Sequence, residues 1–409
     1  MRFSQKLYAQ HLGWTFKKHW STQCKKVPRD TGAATDLKKI GFFIKDDYWI
    51  SGLKTHFSQE KLKGGTPKSP QESGTMPDWQ LKPCHVFSNK NVMLEGIEQA
   101  QLLTKSIKIS GLPQSIQDTI KDVTLTGTLE RSVKEAILSS HLFCAHQEKL
   151  SKEGIQLRPE YNLPREYGSP KERKISILVN KLLSECDKYG GRIVSSQRRL
   201  IDQVYFRVTV PKNDDLLQFS VNAQKVITSQ RPIEAVKEKH DSQLPDMHPI
   251  NCTISMPKQH IYHLETVYPF QNNITTFHPH TIFAYFDKEK VRNVHDIDVN
   301  TSQFQSRTML KAFCVAAARA KQLYGDSALD SIPRPIVVQS IHTDGRTFHF
   351  GVFQLNTLSI NNLEGVKNFW FHENNQNLFQ ICQYVSGKPV LEGFNKNVFK
   401  YIYAFYRNS

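Results

Sequence analysis

Two short constellations in this 409-residue chain bring together side chains able to do chemistry. His278-Pro279-His280 sets two imidazoles two residues apart, a spacing that can offer two ligands to a transition metal. The intervening proline and the absence of a neighbouring acid favour a loop there over a metal centre. His342, Asp344 and His349 form the second group. An imidazole beside a carboxylate can serve as general acid and base. The flanking runs, however, give these residues another explanation. Ile336–Ile341 is apolar and β-branched, and Thr347–Leu355 alternates through Phe348, Phe350 and Val352. Asp344-Gly345 between them is a hairpin signal, because a type I′ turn needs positive φ at both central residues. His342 and His349 then become cross-strand neighbours on a polar face, and Asp344 belongs to the turn.

Other signatures of chemistry are missing. G-x-x-x-x-G-K-[ST], G-x-G-x-x-G, H-E-x-x-H and G-x-S-x-G do not occur. The seven cysteines, Cys24, Cys84, Cys144, Cys186, Cys252, Cys314 and Cys382, are scattered and form no C-x-x-C pair. That pattern fits free thiols in a reducing compartment better than a disulfide framework or a cysteine-based zinc site. No catalytic, cofactor-binding or metal-ligating residue is therefore assigned, and no cofactor is expected. No apolar run approaches the roughly 18–20 residues of a membrane span.

Charge separates the N-terminus from the rest. The net charge is +16, and residues 1–29 hold seven basic residues (Arg2, Lys6, Lys17, Lys18, Lys25, Lys26, Arg29) and no acid. An acid-free segment of basic, hydroxyl and scattered apolar residues has the composition of a mitochondrial transit peptide; a basic arm is the alternative. The net +9 left over residues 30–409 is a weak footprint for nucleic acid. Residues 30–83 read as an extended arm, rich in Gly, Pro, Ser, Thr and Lys. Yet Lys38, Lys39, Phe42, Phe43, Lys45, Trp49 and Lys54 interleave cations with aromatics. Such a segment either docks on RNA or a partner, by phosphate contacts and stacking, or packs on its own body.

Leu94, Ile97, Gln101 and Leu102/Leu103 give a helical face stopped at Gly111. Leu129, Val133, Ala136 and Ile137 place a helix within 129–149, and Ile175 to Tyr189 another over 172–189, ended by Gly190-Gly191. Val204 to Val210 and Leu217 to Val221 alternate as strands around a turn at Pro211–Asp215. Residues 303–324 form a helix stopped by Gly325. Phe394, Phe399, Tyr401, Tyr403, Phe405 and Tyr406 mark a last helix, Val398 to Tyr406, which closes a core or stacks on bases or a partner. Residues 228–275 show no readable pattern. The fold class is mixed α/β (α+β): antiparallel hairpins packed with several helices and preceded by an extended arm. The body spans 84–409, with a division into subdomains near 84–165 and 166–409.

Two blocks carry a resemblance. Leu94-Glu95-Gly96, Gln99-Ala100, Leu103-Thr104-Lys105 and Gly111-Leu112-Pro113 form the first. The second runs from Ala320, Gln322 and Leu323-Tyr324-Gly325 through Pro335–Ser340, Thr343–Arg346, Phe348–Phe350 and Val352–Thr357 to Glu364–Asn368. These residues resemble the family of mitochondrial large-subunit ribosomal protein thirty-seven, over roughly 84–409; the arm at 30–83 does not match it. The resemblance implies a structural constituent of the mitochondrial large ribosomal subunit, not an enzyme. It would lie in the matrix and contact large-subunit rRNA and other mitochondrial ribosomal proteins, in particular the paralogue named protein thirty. It would have no small-molecule substrate and no membrane span. A matrix RNA-processing enzyme and a free RNA-binding regulator are the alternatives.

Overall fold

The computed structural model describes residues 38–41, 83–144, 148–149, 167–212, 215–238, 251–260, 264–271, 275–293, 295, 297–325, 331–361, 364–386 and 388–408. The chain divides into two units, Met1–Thr75 and Met76–Ser409. Of the first, residues 38–41 form one exposed turn of helix.

The centre of the second unit is a ten-stranded sheet. The strands are β1 (Pro83–Phe87), β2 (Ser106–Ser110), β5 (Arg198–Lys212), β6 (Asp215–Ser229), β7 (Lys258–His260), β8 (His278–Tyr285), β9 (Ile336–Thr343), β10 (Thr347–Leu355), β11 (Asn368–His372) and β12 (Gln376–Asn377). They run in the order β2-β11-β10-β9-β8-β6-β1-β7, with β5 also beside β6 and β12 also beside β10. β3 (Glu148–Lys149) with β4 (Tyr167–Gly168), and β13 (Ile381–Val385) with β14 (Lys388–Glu392), form separate two-stranded sheets. Hairpins β5–β6 and β9–β10 are antiparallel as expected. Parallel pairs β1–β6, β8–β9 and β11–β2 join them. The fold is α+β in mixed sheets. β1 and β2, from the N-terminal part of the body, are hydrogen-bonded to strands of the C-terminal part.

Helices cover both faces. α1 (Ile97–Thr104) and α5 (Thr301–Tyr324) pack on one, α2 (Gln114–Asp122), α3 (Gly127–His141), α4 (Lys171–Ser196) and α6 (Lys396–Arg407) on the other. Strand alternation divides the two cores cleanly. Val338, Phe353 and Trp370 join the first, and Val337, Phe350 and Phe369 the second. α5 begins at a capping box, Asn300 with Gln303, and stops at Gly325.

Several boundaries differ from the sequence reading. α3 stops at His141, and Glu148–Lys149 is a strand. α4 breaks where expected, because Gly191 has φ 72°, but the helix resumes as far as Ser196. Pro211 and Lys212 lie in β5, so the β5–β6 turn is shorter than Pro211–Asp215, with Lys212 opposite Asp215. His278-Pro279-His280 opens strand β8 and is not a loop.

Candidate functional site

The β9–β10 hairpin does place His342 opposite His349. The polar face expected for them does not exist. Both residues are fully buried, because α5 lies across that face of the sheet. The His342 ring stacks on Phe304 of α5 at 4.1 Å, and its Nδ1 donates to the Phe304 carbonyl at 3.3 Å. His349 Nδ1 lies 2.7 Å from Thr308 Oγ1, and its ring meets His372 and Trp370. Burial pushes both imidazoles well below their ordinary range, and the nearby Lys311 and Arg307 push His342 down further.

Asp344 does not join them. Its Oδ1 accepts from the backbone N–H of Arg346 at 2.9 Å and of Thr347 at 2.6 Å, which closes the turn. Its charge acts instead on His141 of α3. The turn is not type I′, since Gly345 has φ 92° but Asp344 has no positive φ. The carboxylate side chain takes over part of the turn's hydrogen bonding, as an Asx turn does. The three residues therefore do not form an acid–base site: two neutral imidazoles lie inside and the carboxylate lies outside.

His278 and His280 serve different surroundings. His280 is fully buried; its Nε2 donates to the Asn408 carbonyl at 2.6 Å, and burial lowers its pKa to about 3. His278 stacks against Phe277 and lines a cavity of about 280 Å³ with Arg319 and Arg334. Partial burial and those two cations bring its pKa to about 4. Among the described residues no group of His, Cys, Asp and Glu could hold a metal ion. Cys84, Cys144, Cys186, Cys252, Cys314 and Cys382 are free thiols; Cys24 lies outside the described residues. No described helix is long and apolar enough to cross a membrane.

The aromatic C-terminal helix closes a core. Phe399, Tyr403, Phe405 and Tyr406 of α6 are buried; Tyr401 stacks on Phe350 at 5.1 Å, and Phe405 meets the same ring at 5.4 Å. Of these six aromatics only Tyr401 in the helix and Phe394 just before it keep partial exposure, so the rings offer little surface for stacking on bases or a partner. Of the arm residues singled out by sequence, Lys38 and Lys39 are exposed on their helical turn. Phe42, Phe43, Lys45, Trp49 and Lys54, like the basic segment 1–29, lie outside the described residues.

Sequence reasoning missed the cations inside the first core. Arg307, Lys311 and Arg319 are each 1% exposed on α5. Arg319 sits 5.2 Å from the Tyr268 ring and 4.9 Å from the Phe277 ring. The signal was present, since three cations fall on a helix otherwise dense in alanine and phenylalanine. Nothing in one helix's pattern, however, tells that a second layer covers its polar side.

Comparison with known proteins bears on most of the chain. The family model described as "Mitochondrial 28S ribosomal protein S30 (PDCD9)" matches residues 221–409. Large ribosomal subunit protein mL37 of Rattus norvegicus is 29% identical over 346 residues, which cover 81% of this chain and 76% of that protein. The mL37 protein of Mus musculus is 29% identical over 323 residues, 76% of this chain and 71% of that protein. That of Gallus gallus is 27% identical over 347 residues, 81% of this chain and 75% of that protein. The resemblance carried by the two motif blocks thus extends along most of the chain, which is similar to the mL37 proteins and, over its C-terminal region, to the family model named for protein S30.

Proposed function

We propose that this protein is a structural constituent of the mitochondrial large ribosomal subunit and does not catalyse a reaction. The observation that carries this reading is the similarity to mL37 proteins over about four-fifths of the chain. The geometry offers this reading some support: His280, His342 and His349 are buried with lowered pKa values, His278 is half-buried beside Arg319 and Arg334, and Asp344 is taken up by its turn. In this reading the segment 1–29 directs import and is removed. The arm at 30–83 then docks through Lys38, Lys39, Phe42, Phe43, Lys45, Trp49 and Lys54, and the body at 84–409 meets large-subunit rRNA and neighbouring ribosomal proteins. Relatives named for protein thirty-seven and a family model named for protein S30 meet on this one chain, so a paralogue of the latter kind is the first neighbour to look for.

The charge distribution adds a condition. A chain carrying only +9 beyond residue 29 must gain much of its hold from apolar and shape-matched contacts, because phosphate contacts alone weaken steeply with salt. The test is a sucrose gradient of a mitochondrial lysate at about 0.1 M and about 0.4 M salt. The protein is expected with the large subunit at both. Recovery in the soluble top fractions at both salts would overturn the proposal. Release only at the higher salt would keep the assignment and make phosphate contacts its main anchor.

A further inference from the structure

α5 carries two cations, one helical turn apart, into the protein interior. Arg307 is held in place: Nη1 donates to the Asn91 carbonyl, and Nη2 to the Asn89 carbonyl at 2.7 Å. Its Nε has no acceptor. Lys311, four residues on, faces the same way. It is 1% exposed, and among the described residues its ammonium has neither a hydrogen bond nor an ion pair. A buried charge without a partner is costly. Burial disfavours the Lys311 ammonium, and the guanidinium of Arg307 beside it disfavours it further.

Both side chains line a cavity of about 200 Å³ between α5, β8 and the start of α4. A space of that size is well beyond a packing void and has room for water or a small ion. Lys90 and Lys290, both exposed, also line it and flank its opening. Glu172 and Asp287 are the two carboxylates in the lining, and Lys290 lies between them at 3.2 Å and 4.0 Å. The lining therefore has four cations against two carboxylates, and the pair with no counter-charge is at the bottom.

We propose that this cavity binds a phosphate group, with Lys311 Nζ and Arg307 Nε as its anchoring donors. A tetrahedral oxyanion presents acceptors in several directions, so it can meet both donors at once and supply the charge the interior lacks. Two sources carry that chemistry: a backbone phosphate of an RNA strand, or free phosphate. The site stands on the cavity alone; only the choice of RNA as the source rests on the ribosomal reading.

The experiment uses the full chain and its Lys311→Met variant. Thermal stability is measured in inorganic phosphate and in chloride of equal ionic strength, and affinity for a short single-stranded oligouridylate is measured by fluorescence anisotropy. Phosphate is expected to raise the wild-type Tm above the chloride value and to leave the variant unmoved. If RNA is the source, the variant binds the oligonucleotide about tenfold more weakly, the loss of one hydrogen bond to a charged group. If free phosphate is the source, RNA affinity is the same in both proteins while the Tm difference persists. Lys311 dependence in either arm upholds the site. A wild-type Tm indifferent to phosphate, together with RNA binding indifferent to Lys311→Met, overturns it. Should Lys311→Met fail to fold, Lys90→Ser at the opening replaces it in both arms with the same expectations and a smaller effect.

Discussion

On one face of the sheet lies α5, buried from Gln303 through Ala320 with its charges included. On the other lie α3, α4 and α6, whose buried positions are apolar apart from Ser140 and the tyrosines of α6. The second face is an ordinary amphipathic arrangement: one stripe inward, charges in water. The first is a helix enclosed by two layers. The sheet holds one side, and the other is covered by α1 and by segments whose backbone carbonyls accept from its side chains, at Asn89, Asn91, Leu94 and Phe270. Lysine and arginine on α3 and α4 cost the fold little. On α5 each needs a partner, and Lys311 has none. Apolar packing explains the second face completely, while the first keeps polar groups that packing alone does not require.

Mutations can break this contrast. Phe405→Ala on the second face should cost about 3–5 kcal/mol in denaturant unfolding, because the ring fills space against Phe350. A cost under about 1 kcal/mol would mean that α6 is not core and is free to serve a partner. His342→Ala on the first face should cost about 2 kcal/mol or more, since it empties a fully buried site stacked on Phe304. A polar-face histidine would instead show almost no change, so this variant separates the observed burial from the polar face expected of the sequence. Gly345→Val should cost about 1–3 kcal/mol, from positive φ and from a Cβ only 3.1 Å from Ile175 of α4. Lys311→Met has the opposite sign. In phosphate-free buffer it should raise stability by about 1 kcal/mol, because burial disfavours the amine and its ammonium form, a cost that an apolar side chain of similar size avoids. A clear loss of stability would show that Lys311 already has its counter-charge.

Acid should act on both faces through the imidazoles. His278 and His280 are depressed to about 4 and about 3, and His342, His349 and His372 are also lowered, chiefly by burial. The unfolded chain takes up these protons near pH 6.5, while the folded state resists them. Their contribution to stability is therefore complete above pH 6.5 and is lost as the pH falls toward the folded values. Melting temperatures should drop progressively from pH 7 to pH 4.5, and His280→Asn should flatten that slope. A melting temperature constant over this range would mean that the imidazoles are protonated in the folded state or reached by water.

The sequence made local pairing legible. Alternation at Val204–Val210 and Leu217–Val221 marked β5 and β6, and Asp344-Gly345 marked the β9–β10 connection. Long-range arrangement was not legible. β1 and β11 find parallel partners far along the chain, and no local pattern selects a parallel neighbour. The hairpin β13–β14 is exposed over most of its length, so it carries no burial alternation to read. His342 and His349 were placed on the correct strands and opposite each other. Their surroundings came out wrong because a strand's polar positions do not reveal whether a helix lies across them. The same gap hid Arg307 and Lys311. The docking residues of the arm rest on composition alone.

The proposal that this chain is a ribosomal constituent meets its most direct test in stoichiometry. Large subunits purified from mitochondria that contain this protein would be quantified with isotope-labelled reference peptides for it and for several established large-subunit proteins. The account predicts that this chain is equimolar with them across the particle peak, with no comparable pool outside it. A substoichiometric amount in the particles beside a large free pool would contradict a structural role and favour a free RNA-binding protein.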